Sequence, residues 1–353
     1  MKLSALDVFV CPACKVDLRL KERSRLGREI REGQLECRSC RAVYPILRGV
    51  PRFVTGGGYA GSFAYQWKRF RSVQLDSFNG SDESARSFRS TTGWVGADLQ
   101  GARVLDAGVG AGRYAEIAAK MGGEVFGIDL TKAVDAAYDN IGEREGIHLA
   151  QADIFAMPFR ERTFDRAYSI GVLHHTPDPR AALARVAAAV KPGGALAVYL
   201  YPNPGMARHF PDLIRRVTTR LPLRMMLALS SAAVPLYYPY RIPGIGRLLH
   251  LLGPISMHPS WRARWLDTFD WYTPKYQWKL SHPEVYRWFR ENGFSDIEIA
   301  DEPIRMSGVK SEPAGAPRMA ALSQAARTAL HLQDETISAP QKPAPSRVSR
   351  WNS

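Results

Sequence analysis

Three glycines at alternate positions follow an aspartate within residues 103–113, and their spacing predicts a ligand-binding turn. The apolar segment that ends at Asp106 is predicted to be a buried strand, and residues 114–121 are predicted to be a helix. Such a turn lets the backbone approach a ligand closely, and the helix N-terminus directs free amide N–H groups at it. The alternative is a glycine-rich turn in some other α/β protein. The glycines are Gly108, Gly110 and Gly112.

A second aspartate, Asp129, ends the next apolar segment, 124–128, and lies 23 residues after Asp106. In a Rossmann-like unit, an acid about 20 residues beyond the first strand contacts the ribose hydroxyls of the cofactor. A carboxylate can accept both hydroxyl protons in a bidentate way. The spacing therefore predicts that Asp129 binds a ribose.

The pattern D-x-G-x-G-x-G over residues 106–112 resembles the first motif of class I S-adenosylmethionine-dependent methyltransferases. Four further segments follow in the order and at the spacing of that family, namely 124–129, 151–154, 164–175 and 191–199. The resemblance covers residues 101–201 and is to the small-molecule branch of the family. It implies an α/β fold with a Rossmann-like seven-stranded sheet and helices on both faces. It also implies S-adenosylmethionine as the cofactor.

The same resemblance implies which residues hold the cofactor. Asp153 would accept a hydrogen bond from the exocyclic amine of the adenine. Tyr65 and Trp67, in a predicted helical cap, would close over the methionine end, with burial in the core as the alternative. The expected cofactor-binding residues are Asp106, Gly108, Gly110, Gly112, Asp129, Leu130, Asp153, Ile154, Tyr65 and Trp67.

Two adjacent histidines, His174 and His175, follow the predicted fourth strand, where methyl transfer occurs in similar enzymes. Imidazole titrates near neutral pH, so one of the two is predicted to be the general base that takes the acceptor's proton. The alternative is that a histidine only hydrogen-bonds a loop. His282 and Tyr272 are weaker candidates for the base.

All four cysteines lie in two C-x-x-C pairs near the N-terminus, separated by 22 residues. Four thiolates in this arrangement predict a structural zinc ribbon, because no position on the metal stays open for catalysis. Two disulfides are the alternative. The expected zinc ligands are Cys11, Cys14, Cys37 and Cys40. The segment that follows, 42–53, resembles small zinc-ribbon domains of the type that activate or precede certain methyltransferases.

The basic residues are concentrated outside the predicted cofactor core. Residues 1–60 hold 12 basic and 6 acidic side chains, residues 101–200 hold 11 and 12, and residues 201–260 hold 7 and 1. Cationic flanks favour an anionic partner such as phosphate, nucleic acid or a membrane surface, although a solvated basic face has the same composition. No secretory signal is visible and no apolar run reaches 18 residues, so we expect a cytoplasmic protein with a peripheral contact at the inner membrane face as a further expectation.

These patterns predict six segments. They are a zinc ribbon (1–55), a helical cap (56–100), the cofactor-binding core (101–202), an apolar basic lid insertion (203–262), the C-terminal part of the methyltransferase domain (263–310) and a disordered tail (311–353). Residues 294–300 alternate and are predicted to be the last, antiparallel strand. The predicted activity is methylation of an O or N atom of a small molecule, sugar or lipid-linked glycan. An RNA methyltransferase and a non-catalytic scaffold are the alternatives.

Overall fold

The computed structural model describes residues 1–54, 58–203, 209–300 and 303–312, and residues Met1–Ser311 form one unit. The predicted disordered tail lies outside the described residues, except for its first two positions.

The N-terminal part is a small antiparallel sheet of four strands in the order β1-β2-β3-β4. A long hairpin, β1 and β2, joins the two cysteine pairs; Cys37 ends β2, and the other three cysteines lie outside regular strands. This hairpin accounts for the 22 residues between the pairs. The strands are β1 (Leu18–Leu26), β2 (Glu29–Cys37), β3 (Val43–Leu47) and β4 (Val50–Pro51).

A mixed sheet of seven strands forms the centre of the larger part, in the order β10-β11-β9-β8-β5-β6-β7. β5 to β9 run parallel to one another, and β11 pairs antiparallel with both β9 and β10. This confirms the predicted seven-stranded α/β fold. The strands are β5 (Arg103–Ala107), β6 (Glu124–Asp129), β7 (Ile147–Gln151), β8 (Phe164–Ile170), β9 (Val190–Leu200), β10 (Phe294–Ala300) and β11 (Ile304–Lys310).

The last strand differs from the prediction. The segment 294–300 is a strand, but it runs parallel to β9 at the edge of the sheet, and the antiparallel strand is β11. β11 contains Gly308, which interrupts its alternating apolar pattern. A Cβ at Gly308 would lie 3.1 Å from the ring of Phe289, so the close packing of that ring explains the glycine.

Helices cover both faces of the central sheet, and each face has its own apolar cluster. The strand alternation separates the two clusters: Val104 of β5 belongs to one and Leu105 to the other. The helices before the insertion are α1 (Gly61–Phe70), α2 (Asp76–Asn79), α3 (Glu83–Thr92), α4 (Gly96–Leu99), α5 (Arg113–Lys120), α6 (Ala133–Ile141) and α7 (Pro179–Ala189).

The described part of the predicted insertion, from residue 209, folds as four helices, three of which pack against a further helix, α12. α8, α9 and α10 contact α12, while α11 contacts α8 and α10. None of the described helices has the length and apolar composition needed to span a bilayer. The helices are α8 (His209–Thr218), α9 (Leu223–Ser231), α10 (Ala233–Tyr240), α11 (Ile245–Leu252), α12 (Trp261–Tyr272) and α13 (His282–Glu291).

The small N-terminal sheet is docked on β7, an edge strand of the central sheet. Arg52 pairs with Gln151 of β7 in parallel register, and the amide N–H of Phe53 donates to the Gln151 carbonyl at 2.8 Å. The ring of Phe9 packs edge-on against Phe126 of β6, with 6.1 Å between ring centroids. The two parts therefore share one apolar core and one extended hydrogen-bonded edge.

Candidate active site

A cavity of about 680 Å³ opens at the carboxyl ends of β5, β6, β8 and β9. Ligands bind at this end of parallel sheets in open α/β folds. The residues that follow these strands form one wall of the cavity, and α1 and α12 contribute much of the other. Seven of the predicted residues line it, namely Trp67, Gly108, Gly110, Asp129, Leu130, Ile154 and His175.

The glycine turn after β5 depends on a left-handed backbone. Gly108, Gly110 and Gly112 have φ values of 108°, 52° and 92°, which L side chains rarely adopt. A Cβ at Gly108 would also collide with the side chain of Val172. A Cβ at Gly112 would lie 2.6 Å from Cδ1 of Ile141, so this glycine allows α5 and α6 to approach.

Asp129 is held by the turn that it faces. Its Oδ2 accepts from the Gly110 amide N–H at 3.1 Å, and its Oδ1 accepts from the amide and the hydroxyl of Thr131, both at 2.8 Å. Burial raises the pKa of Asp129. Because a carboxylate has about four acceptor positions, these three bonds leave capacity for a ligand hydroxyl.

Two predicted carboxylates do not line the cavity. Asp106 is buried beneath the turn, where its Oδ2 accepts from the Tyr168 hydroxyl at 2.9 Å, and burial raises its pKa to about 7. Asp153 accepts from the Phe155 amide at 3.0 Å and so caps the short 3-10 helix Ile154–Ala156. Gly112 likewise lies outside the lining.

The two aromatic residues predicted on α1 occupy different environments. Trp67 lies over the glycine turn, and its Nε1 is 3.2 Å from the position that a Cβ of Gly110 would take. Tyr65 packs against Phe269 of α12, with 6.1 Å between ring centroids, and does not line the cavity. Only Trp67 is therefore in position to cover a ligand in the turn.

The adjacent histidines, His174 and His175, also occupy different environments. His175 lines the cavity, and its Nδ1 lies 2.8 Å from the Tyr276 carbonyl. Because a carbonyl only accepts, Nδ1 carries the proton and Nε2 of the neutral ring has the lone pair. Burial lowers the pKa of His175 to about 4. His174 is fully buried, stacks on Tyr201 with 4.0 Å between centroids and does not line the cavity.

Two carboxylates on α12, Asp267 and Asp270, line the cavity opposite the glycine turn. The Tyr201 hydroxyl donates to Oδ2 of Asp270 at 3.5 Å, while Oδ1 of Asp270 is buried with no partner among the described residues. Burial and the neighbouring Asp267 raise the pKa of Asp270 to about 7. Neither acid is among the site residues predicted from the sequence. Their spacing of three residues, which puts both on one helix face, was the available signal.

Two cationic side chains, Arg113 and Arg305, also line the cavity. Arg113 contacts Glu83 at 3.8 Å and donates from Nε to the Ser84 hydroxyl at 2.9 Å. The Arg305 guanidinium lies over the Tyr199 ring, and its Nε has no partner among the described residues. The cavity therefore offers a polar ligand donors on the two arginines and acceptors on the two carboxylates of α12.

The four cysteines lie together at the end of the small sheet. Their Sγ atoms are all within 4.8 Å of one another, and the Sγ atoms of Cys11 and Cys40 are 3.7 Å apart. Tetrahedral zinc with Zn–S bonds of about 2.3 Å places sulfurs roughly 3.8 Å apart. The residues after each pair, Lys15 and Arg41, both adopt a left-handed backbone and donate their amides to the first cysteine's carbonyl. The two pairs thus have matching conformations that fit a metal with four thiolate ligands.

Two family matches divide the chain as the fold does. Residues 105–198 match the family described as a methyltransferase domain, and residues 2–49 match the family described as Trm112p-like protein. The chain therefore combines a Trm112p-like domain with a methyltransferase domain of the S-adenosylmethionine-dependent class. Both resemblances drawn from the sequence are confirmed.

Individual curated relatives match less than a third of the chain. The ubiquinone biosynthesis O-methyltransferase of Alkalilimnicola ehrlichii is 38% identical over 109 residues, which are 27% of this chain and 40% of that protein. The O-methyltransferase cnsE of Penicillium expansum is 36% identical over 104 residues, or 28% and 38% of the two chains. The chain spans about two fifths of the length of these curated relatives.

Among solved structures, one chain of the complex between the Haloferax volcanii Trm112 methyltransferase activator and a methyltransferase is similar to this one. The TM-score is 0.43 at 15% sequence identity, and the match covers 71% of this chain and 98% of that chain.

Proposed function

We propose that this protein transfers a methyl group from S-adenosylmethionine to an O or N atom of a small molecule, sugar or lipid-linked glycan. The observation that carries the proposal is a cavity that the glycine turn, Asp129 and the carboxylates of α12 line together. The curated relatives include O-methyltransferases. Because the matches span 27% and 28% of this chain and about two fifths of those proteins, they support methyl transfer more strongly than any particular acceptor.

The part of the cavity formed by the glycine turn and Asp129 fits an adenosyl ligand. The left-handed glycine turn lets the backbone approach a ligand closely, Asp129 keeps free acceptor capacity for ribose hydroxyls, and Trp67 covers the turn. Leu130 and Ile154 add apolar lining on either side of the position expected for the base. Asp106 and Asp153 support this wall from behind, through Tyr168 and the short helix at 154–156.

The part of the cavity formed by His175 and the carboxylates of α12 fits a polar acceptor. When bound, S-adenosylmethionine supplies a methyl group already activated on its sulfonium, so the protein has to position the acceptor and accept its proton. His175, with a lone pair on Nε2, and Asp270, with an unpartnered Oδ1, both line the cavity. A base works best when its pKa is near the operating pH, which favours Asp270 over His175 for this step.

We further propose that the four cysteines bind one structural zinc ion. All four positions of a tetrahedral ion would be filled by thiolates, which leaves none for an acceptor. The metal would hold the two cysteine pairs together and so fix the small domain against β7.

Calorimetry and a transfer assay test the proposed activity. The purified protein should bind S-adenosylhomocysteine with one site per chain and should not bind NAD. Labelled methyl groups should then move to a hydroxylated or aminated small acceptor from a mixed panel. Binding of NAD in place of S-adenosylhomocysteine would overturn the cofactor assignment, and transfer to bulk RNA alone would overturn the acceptor class.

A further inference from the structure

The helices of the insertion expose an unusual number of large apolar side chains. More than half of those exposed among the described residues lie between positions 213 and 261. They are Leu213, Val217, Met225, Leu229, Leu236, Tyr238, Ile242, Ile245, Leu248, Leu251, Leu252 and Trp261. We name this set the insertion face. A concentration of exposed apolar side chains marks an interaction site on a folded protein.

The spacing of these residues gives α9 and α11 one apolar side that is exposed to solvent. Ile245, Leu248 and Leu252 follow at intervals of three and four residues and so form one stripe on α11. On α9, Met225 and Leu229 are exposed while their neighbours Met226 and Ser230 are buried. α9 packs on α12 and α11 packs on α8 and α10, so each helix buries one side against the protein and leaves its apolar stripe in solvent.

The charged residues around the insertion face are almost all basic. Asp212 is the one acid in 209–262, and it is paired with Lys279. The exposed arginines form no ion pair among the described residues. They are Arg216, Arg220, Arg224, Arg241, Arg247 and Arg262.

We propose that the insertion face binds the surface of an anionic lipid bilayer. Apolar stripes bordered by arginines suit the boundary between acyl chains and negatively charged headgroups. Exposed Tyr238 and Trp261 are of the residue types enriched at that depth. A second copy of the chain fits less well, because a two-fold contact would place one arginine-rich face against another.

α12 connects this surface to the cavity. On one side, the Trp265 indole donates to the Leu227 carbonyl of α9 at 2.9 Å. On the other side, Leu266, Asp267 and Asp270 line the cavity. A bilayer bound to the insertion face would therefore lie two helix layers, or about 20 Å, from Asp267 and Asp270.

Vesicle co-sedimentation tests this inference without any need for turnover, so its outcome is independent of the proposed activity. The full chain is mixed with phosphatidylcholine vesicles, with or without phosphatidylglycerol. We expect binding to the anionic vesicles only. L248E/L251E should weaken it by at least about tenfold, since two apolar side chains can no longer be buried. R220E/R224E should weaken it by about tenfold through charge reversal.

Matched variants on the small domain serve as controls. L26E/V43E and R19E/R23E change equally exposed side chains of the same types outside the insertion face, and we expect both to bind as the parent protein does. Circular dichroism of every variant establishes that it is folded. Absence of vesicle binding, equal binding to neutral vesicles, or equal loss in the controls would overturn the proposal. So would a dimer in light scattering that L248E/L251E dissociates while vesicle binding is unchanged.

Discussion

The amide N–H of Gly110 donates to Oδ2 of Asp129 at 3.1 Å, so the turn after β5 and the end of β6 are joined by a hydrogen bond. This bond orients the carboxylate at the floor of the cavity before any ligand arrives. A preoriented acceptor loses less conformational entropy on binding than a free side chain does.

Replacing Asp129 with Asn should weaken the binding of S-adenosylhomocysteine by roughly tenfold to a hundredfold, because one charged acceptor for the ribose is lost. Calorimetry measures the change. D17N is the matched control, since Asp17 is 76% exposed on the small domain and should not affect affinity. Equal affinity of D129N and the parent protein would remove Asp129 from the site.

The two aromatic residues of α1 give a paired test. W67A should lower the affinity for S-adenosylhomocysteine by about tenfold, because an aromatic cover over Gly110 is lost. Y65A should leave affinity unchanged and lower the melting temperature, since Tyr65 packs against Phe269. The opposite pattern would show that Tyr65 is the covering residue.

The pH dependence of kcat/KM distinguishes the two candidate bases, because each accepts a proton only when it is deprotonated. With Asp270 as the base, activity falls as the pH drops below about 7; with His175, it falls only below about 4. We expect the pH profile to fall near pH 7. D270N should remove this fall and lower kcat by roughly 10²–10⁴-fold. A flat profile down to pH 5 in the parent protein would favour His175 instead.

The raised pKa of Asp270 also predicts how stability changes with pH. In the unfolded chain this carboxyl loses its proton near pH 4, whereas in the folded protein it holds the proton up to about pH 7. The folded state is therefore destabilised progressively as the pH rises through that window. D270N should raise the melting temperature at pH 8 and change it little at pH 4. An equal shift at both pH values would contradict this assignment.

Metal analysis tests the cysteine cluster. We expect one zinc ion per chain, and C14S should lose it and lower the melting temperature, because a structural site contributes folding energy. S39A is the control, since it alters a residue between Cys37 and Cys40 that offers no ligand. Full zinc occupancy in C14S would mean that Cys14 is not a ligand.

Local patterns in the sequence were sufficient to predict the wall of the cavity formed by the glycine turn and Asp129. A strand, a glycine turn and a following helix are encoded within a few residues, and Asp129 follows from a fixed spacing to the next strand. The small domain was equally predictable from the sequence, because two C-x-x-C pairs need only a hairpin between them.

Features that depend on distant contacts were harder to predict. Asp267 and Asp270 reach the cavity only because α12 packs on α1; their spacing puts both on one helix face but does not reveal what that face lines. The separation of His174 from His175 depends on Tyr201 and Tyr276, far along the chain. β11 was missed because Gly308 interrupts its alternation in order to accommodate Phe289.

The docking of the small domain on β7 has a further consequence. Open strand edges invite pairing with other chains, and here residues 52 and 53 of the same polypeptide occupy part of that edge. Since the small domain and the domain that contains β7 belong to one polypeptide, dilution cannot separate them as it would two free subunits. The ratio of the two domains is likewise fixed at synthesis.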